Sequence, residues 1–186
     1  ASGPSDNNYV SLFLSRIAGD VSIHGGPNSD NVEIVFSSIS GDVKINLNPQ
    51  SPPPSETEVD KIALVDSLID GNLAIDGSNA TTDVFLNAAH VAGNTSIKTG
   101  HVADTISITD NARRREAHGM THTFGGNLTI ETKKGDDLLL APFVDGDILI
   151  AGDFTFIGGQ GEDDVSDFLD AAAVDGAIKL IQTEIV

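Results

Sequence analysis

A chain of 186 residues, 39% of them hydrophobic, is long enough for one domain with a sizeable core and too apolar to remain unfolded. Its 28 acidic residues against 10 basic ones give a net charge of −18, which argues against nucleic acid and anionic membranes as partners. There is no cysteine, hence no disulfide framework, and no apolar run approaches the length of a membrane span.

Two short elements alternate along the chain. The first reads apolar, any residue, Gly, Asp or Asn, apolar, any residue, Ile, with Leu180 in place of Ile in the last copy. It occupies 17–23, 39–45, 69–75, 91–97, 124–130, 144–150 and 174–180. Its glycines are Gly19, Gly41, Gly71, Gly93, Gly126, Gly146 and Gly176, and Asp or Asn follows in every copy except the last, where Ala177 stands. The second element is a polar anchor with apolar residues two and four positions on. Its anchors are Asn8, Asp30, Asp60, Thr82, Asp104, Asp136 and Asp163. At the final +4 position, Asp167 breaks the apolar series.

Anchor-to-anchor spacings are 22, 30, 22, 22, 32 and 27 residues. A base unit of 22 follows, with insertions expected at 46–59, 109–123 and 151–162. Both elements alternate apolar and polar, the period of a strand with one buried face. Two such strands and their turns make one coil, and coils bury their inner faces only by stacking. The expected fold is therefore all-β: a single-stranded parallel β-helix, or β-solenoid, of about seven coils over residues 1–186, with ladders of Ile, Val and Leu inside. Glycine at the corner is expected to supply a positive φ, and the Asp or Asn beside it to bond its neighbours.

The 22-residue coil resembles the right-handed parallel β-helix of the pectate-lyase-like superfold, and that resemblance implies the right hand. It covers the whole chain as repeat architecture and brings no catalytic motif. A second resemblance is local. Gly158-Gly159-Gln160-Gly161-Glu162-Asp163-Asp164-Val165 resembles one copy of the RTX calcium-binding nonapeptide. It implies Ca²⁺ held through Gly159, Gly161, Asp163 and Asp164.

Other chemistry is sparse. His118 and His122 have a helical metal spacing without the glutamate or third ligand that zinc chemistry needs. Lys133 and Lys134 beside Asp136 and Asp137 are the local candidates for a polysaccharide lyase. Asn79, Asn94 and Asn127 open glycosylation triplets, and Pro52-Pro53-Pro54 stiffens the first insertion. Arg113, Arg114 and Arg115 form a basic cluster suited to docking on an acidic copy of the same chain.

The expectation is a structural or interaction protein and not an enzyme. The apolar first coil (Val10, Leu12, Leu14) and the apolar finish (Ile178, Leu180, Ile185) would stack on neighbouring molecules, with no helix covering either end. Self-association into a surface fibre or matrix is the leading form. A segment of a solenoid adhesin, or a carbohydrate-binding or polysaccharide-cleaving β-helix, is the alternative. The opening Ala1-Ser2-Gly3, without Met, is expected either of a mature end left by cleavage or of an artificial boundary, and the protein is expected outside the cell or at its surface.

Overall fold

The computed structural model describes residues 8–26, 29–47, 59–110, 123–142 and 148–181. The first repeat sets the plan. Strand β1 (Asn8–Phe13) alternates inward Val10 and Leu12 with outward Tyr9, Ser11 and Phe13. The two-residue β2 (Arg16–Ile17) and then β3 (Val21–His24) follow. Later repeats lay their strands beside these in the same order, and every strand pairing is parallel.

Six strands follow one another in the first sheet: β1, β4 (Asp30–Val35), β7 (Val59–Val65), β10 (Thr81–Asn87), β13 (Thr105–Thr109) and β15 (Leu138–Leu140). Seven form another: β3, β6 (Val43–Asn46), β9 (Leu73–Asp76), β12 (Thr95–Lys98), β14 (Leu128–Glu131), β17 (Phe154–Ile157) and β19 (Ile178–Ile181). Between them run short strands: β2, β5 (Ser38–Ile39), β8 (Leu68–Ile69) and β11 (His90–Val91), then β16 (Ile148–Ile150) and β18 (Ala172–Val174). Phe124 bridges Val91 and Ile150 and so joins the two groups. The fold is all-β with stacked parallel sheets, as the alternation predicts, and is compatible with a β-solenoid. Strand pairing puts like residues in line, for example Ile23, Ile45, Ile75, Ile97 and Ile130.

The later repeats are registered differently from the sequence expectation. Thr105 pairs with Leu138, so the anchor that continues Asp104 is Asp137 and not Asp136. Leu139 then points inward and is fully buried, while Leu138 is half-buried. The sixth corner is Gly152-Asp153, not Gly146-Asp147. Gly152 bonds the Gly126 carbonyl, and Phe154 and Phe156 pair with Leu128 and Ile130. Residues 151–162 are thus no insertion, because β17 runs through them. The corner sequence occurs twice within eight residues here, and Ile150 completes the wrong copy while Phe156 completes the right one.

With this register, corner glycine to next anchor is 11 residues in five of the six intervals: 19 to 30, 71 to 82, 93 to 104, 126 to 137 and 152 to 163. The exception, 41 to 60, contains the expected 46–59 insertion, whose residues 48–58 lie outside the described set. The expected insertion at 109–123 falls after an anchor strand, and its residues 111–122 also lie outside it. After Val165 a helix, α1 (Ser166–Ala171), replaces the strand and packs Phe168 on Phe154, ring centroids 5.0 Å apart. Asp167 breaks the apolar series because that segment is helical, and one sheet does carry a helix at its far edge.

Corner glycines serve close packing, not a positive φ. Left-handed backbone falls instead on Leu14, Phe36, Asp66 and Ala88, each just past an anchor strand, with φ near 50°. A Cβ at Gly71 would strike Asp42 Oδ1 and lie 2.6 Å from the Gly41 carbonyl oxygen. Gly71→Ala is expected to cost about 1–3 kcal/mol through overpacking against backbone that cannot withdraw. Urea unfolding of the variant beside the parent chain measures it.

Candidate functional site

Three ladders of side chains tie neighbouring repeats, and two of them bear on function. At the corner, each Asp or Asn reaches forward. Asp20 Oδ1 accepts the Asp42 N–H at 2.9 Å, and Asp42 accepts that of Asn72 at 2.7 Å. Asn72, Asn94 and Asn127 repeat the contact at 2.9 Å, and Asp153 receives the Ala177 N–H at 2.8 Å. These side chains are exposed, so Asn94 and Asn127 of the glycosylation triplets are already engaged in the fold.

The anchor ladder reaches backward and is buried. Asp60 accepts the Asp30 N–H at 2.7 Å, Asp104 that of Thr82 at 2.7 Å, Asp137 that of Asp104 at 2.9 Å, and Asp163 that of Asp137 at 3.3 Å. None of the five anchor aspartates is more than 3% exposed. In the third ladder Ser15 N–H donates to Ser37 Oγ, and Ser37 N–H to Ser67 Oγ.

Stacked, buried carboxylates are costly to ionise. Asp104 is pushed up to about 6 by burial, against the nearby Thr99 hydroxyl and the hydrogen bonds from the Thr82 and Gly100 N–H groups, which favour the charge. Asp137 is pushed up to about 7, again chiefly by burial. The Asp104 N–H and the Thr132 hydroxyl oppose the shift, and the charges of Asp104 and Asp163 add to it. One oxygen each of Asp137 and Asp163 is buried without a hydrogen-bond partner. Asp104 and Asp137 thus keep protons in the folded chain that they lose in the unfolded one. Stability from this source is full below the unfolded pKa and falls as pH rises through about 6 to 7. The melting temperature is expected to drop by several degrees between about pH 5 and about pH 8. Asp137→Asn is expected to flatten that profile in a calorimetric pH series.

The residues of the RTX-like segment serve the stack. A Cβ at Gly159 would run into the Lys133 carbonyl, and one at Gly161 into that of Gly135. Asp163 belongs to the buried ladder, while the Asp164 carboxylate accepts from the N–H and hydroxyl of Ser166 at 2.9 and 2.7 Å and so opens α1. Its pKa lies below the ordinary value because of those two bonds. Among the described residues, no group of three or more His, Asp or Glu side chains could hold a metal ion. Beside Lys133 and Lys134, Asp137 is buried and Asp136 accepts the Glu162 N–H at 3.0 Å. His90, buried near Asp110 with Nδ1 3.9 Å from Oδ1, lies inside the fold. His118, His122 and Arg113, Arg114 and Arg115 lie outside the described residues, as do Pro52, Pro53, Pro54 and Ile185. Among the described residues, no helix is long and apolar enough to cross a membrane.

The assembly residues Val10, Leu12 and Leu14 come together on the first repeat. Val32, Ile34, Ile39 and Val43 are at most 1% exposed, whereas their first-repeat counterparts Val10, Leu12, Ile17 and Val21 are only partly buried. Ile23 is 8% exposed where Ile45 is 0%, and a depression opens there among Val10, Ile23, Asp30, Val32 and Leu47. Leu14, however, lies in the left-handed turn and is 69% exposed, so it belongs to the outer surface and not to the inner ladder. At the other end Ile178 is 54% exposed and Leu180 partly buried.

One surface was not read from the sequence. Among the described residues, five of the six exposed large apolar side chains (Tyr9, Phe13, Leu14, Phe36 and Phe85) lie on the outside of the β1 sheet or at its turn. Phe13 and Phe36 meet edge to face at 6.0 Å, and Phe85 pairs across to Ala63. The outward positions of β1 (Tyr9 and Phe13) carried the signal, which strand alternation assigns to solvent. No family model, curated protein or solved structure matches the chain.

Proposed function

We propose that this chain is an extracellular structural or interaction protein and not an enzyme. In this reading it is a single-stranded, right-handed parallel β-solenoid of seven coils that associates by stacking solenoid ends, first of all with other copies of itself. The observation that carries the reading is the first repeat. Its inward Val10, Leu12, Ile17 and Val21 continue ladders that are fully buried one repeat later, and nothing among the described residues covers them. Covering that apolar surface with another coil is favourable by about 25 cal/mol per Å² buried, and the edge strand offers unpaired backbone groups as well. The right hand is supported by the strong preference of parallel β crossovers for that hand.

Sedimentation over a wide concentration range tests the reading. The chain is expected to gain mass with concentration, and Leu12→Lys to hold it monomeric while remaining folded. A parent chain that stays monomeric throughout would overturn self-stacking.

A second reading, adhesion to neutral carbohydrate, is favoured by the exposed aromatic side chains on the β1 sheet. Aromatic faces meet the apolar faces of sugar rings, and a chain of −18 repels anionic polymers. Phe13→Ser with Phe36→Ser is expected to abolish retardation in gels containing neutral polysaccharide. Unchanged retardation of the double variant, or none by the parent chain, would remove this reading.

A further inference from the structure

Among the described residues, one corner lacks its ladder partner, and it lies at the end where stacking is proposed. At Gly41, Gly71, Gly93, Gly126, Gly152 and Gly176, a built Cβ would collide with the Oδ1 of the preceding repeat's Asp or Asn. At Gly19 it would meet nothing within 4 Å. In each of the six later repeats, the N–H after the corner glycine donates to that same Oδ1. Among the described residues, the Asp20 N–H has no such acceptor. Gly19 and Asp20 thus form a slot whose shape and donor are set by six filled copies.

We infer that the Gly19–Asp20 corner is a docking slot for a parallel β-coil carrying Asp or Asn directly after its own corner glycine. A coil seated there would put its Oδ1 over Gly19 and accept the Asp20 N–H, as Asp20 does for Asp42. The specificity-determining residue on this chain's other end is Ala177. It occupies the required position in the last repeat, follows Gly176, and has no side-chain oxygen to offer. An identical copy arriving end to end therefore leaves the slot empty, whereas a coil with Asn or Asp fills it. The inference rests on the stacking reading for its direction of approach and adds a chemical requirement on the incoming coil.

Two substitutions test it on the full chain. Ala177→Asn gives the last repeat the missing amide, and Gly19→Ala blocks the slot. Position 177 is exposed and Gly19 has open space, so neither is expected to shift the melting temperature. One gained hydrogen bond predicts association about fivefold tighter for Ala177→Asn than for the parent, measured by sedimentation equilibrium. Adding Gly19→Ala is expected to abolish that gain. If the parent associates and Ala177→Asn does so no more tightly, the slot is wrong and stacking stands. If Ala177→Asn associates while the parent stays monomeric, the slot stands and self-stacking of the parent falls. Persistence of the gain in the double variant, or monomers throughout, overturns the slot.

Discussion

Everything in this structure follows from one requirement: each repeat must leave a hole where its neighbour places a side chain. At the corner the hole is a glycine and the side chain an aspartate or asparagine. The pair keeps adjacent strands close enough for their backbone groups to bond. Replacing either member by a residue of the wrong size separates the repeats locally, and the apolar ladders lose contact along with them. The 11-residue interval from corner to anchor carries this fit around the chain. Insertions are tolerated between elements and not within them.

That requirement explains what could be read from the sequence. Alternation in Val32, Ile34, Val43 and Ile45 states which side is buried, and the glycine with its polar neighbour states where the strand begins. Fold class and the first four repeats follow directly. The sixth repeat misled because Gly146-Asp147 and Gly152-Asp153 satisfy the same local pattern, and Phe156 replaces the usual isoleucine. Only pairing with β14 decides between them. Asp136 and Asp137 posed the same ambiguity, since adjacent carboxylates look alike until one must face inward. The reason for the glycines was also hidden. A sequence shows that a side chain is absent, not whether torsion or crowding excludes it.

The candidate surface was legible in part. Val10 and Leu12 belong to the inner ladder as their spacing implies. Leu14 falls past the strand, in left-handed backbone that periodicity does not reveal. The aromatic side of the β1 sheet escaped notice because outward positions are normally polar, so Tyr9 and Phe13 carry no periodic signal of their own. The buried aspartates combine two demands. They bond the backbone of the preceding repeat where no water reaches it, and they bring like charges into line. Burial raises Asp104 and Asp137 toward protonation, which eases that conflict and makes this part of the anchor ladder sensitive to acidity.

The opposite reach of the corner and anchor ladders has a mechanical consequence. Corner side chains accept from the following repeat, and anchor carboxylates accept from the preceding one. Where both bonds form, a junction is latched from both sides, at points separated by half a turn of chain; at the fourth repeat the anchor is Thr82, whose hydroxyl donates to the Ala80 carbonyl instead. A force that tilts one repeat on the next at such a junction must break bonds at both edges together. Such junctions resist bending as units, and the two faces that a repeat offers its neighbours are as distinct as the socket and plug of a keyed joint.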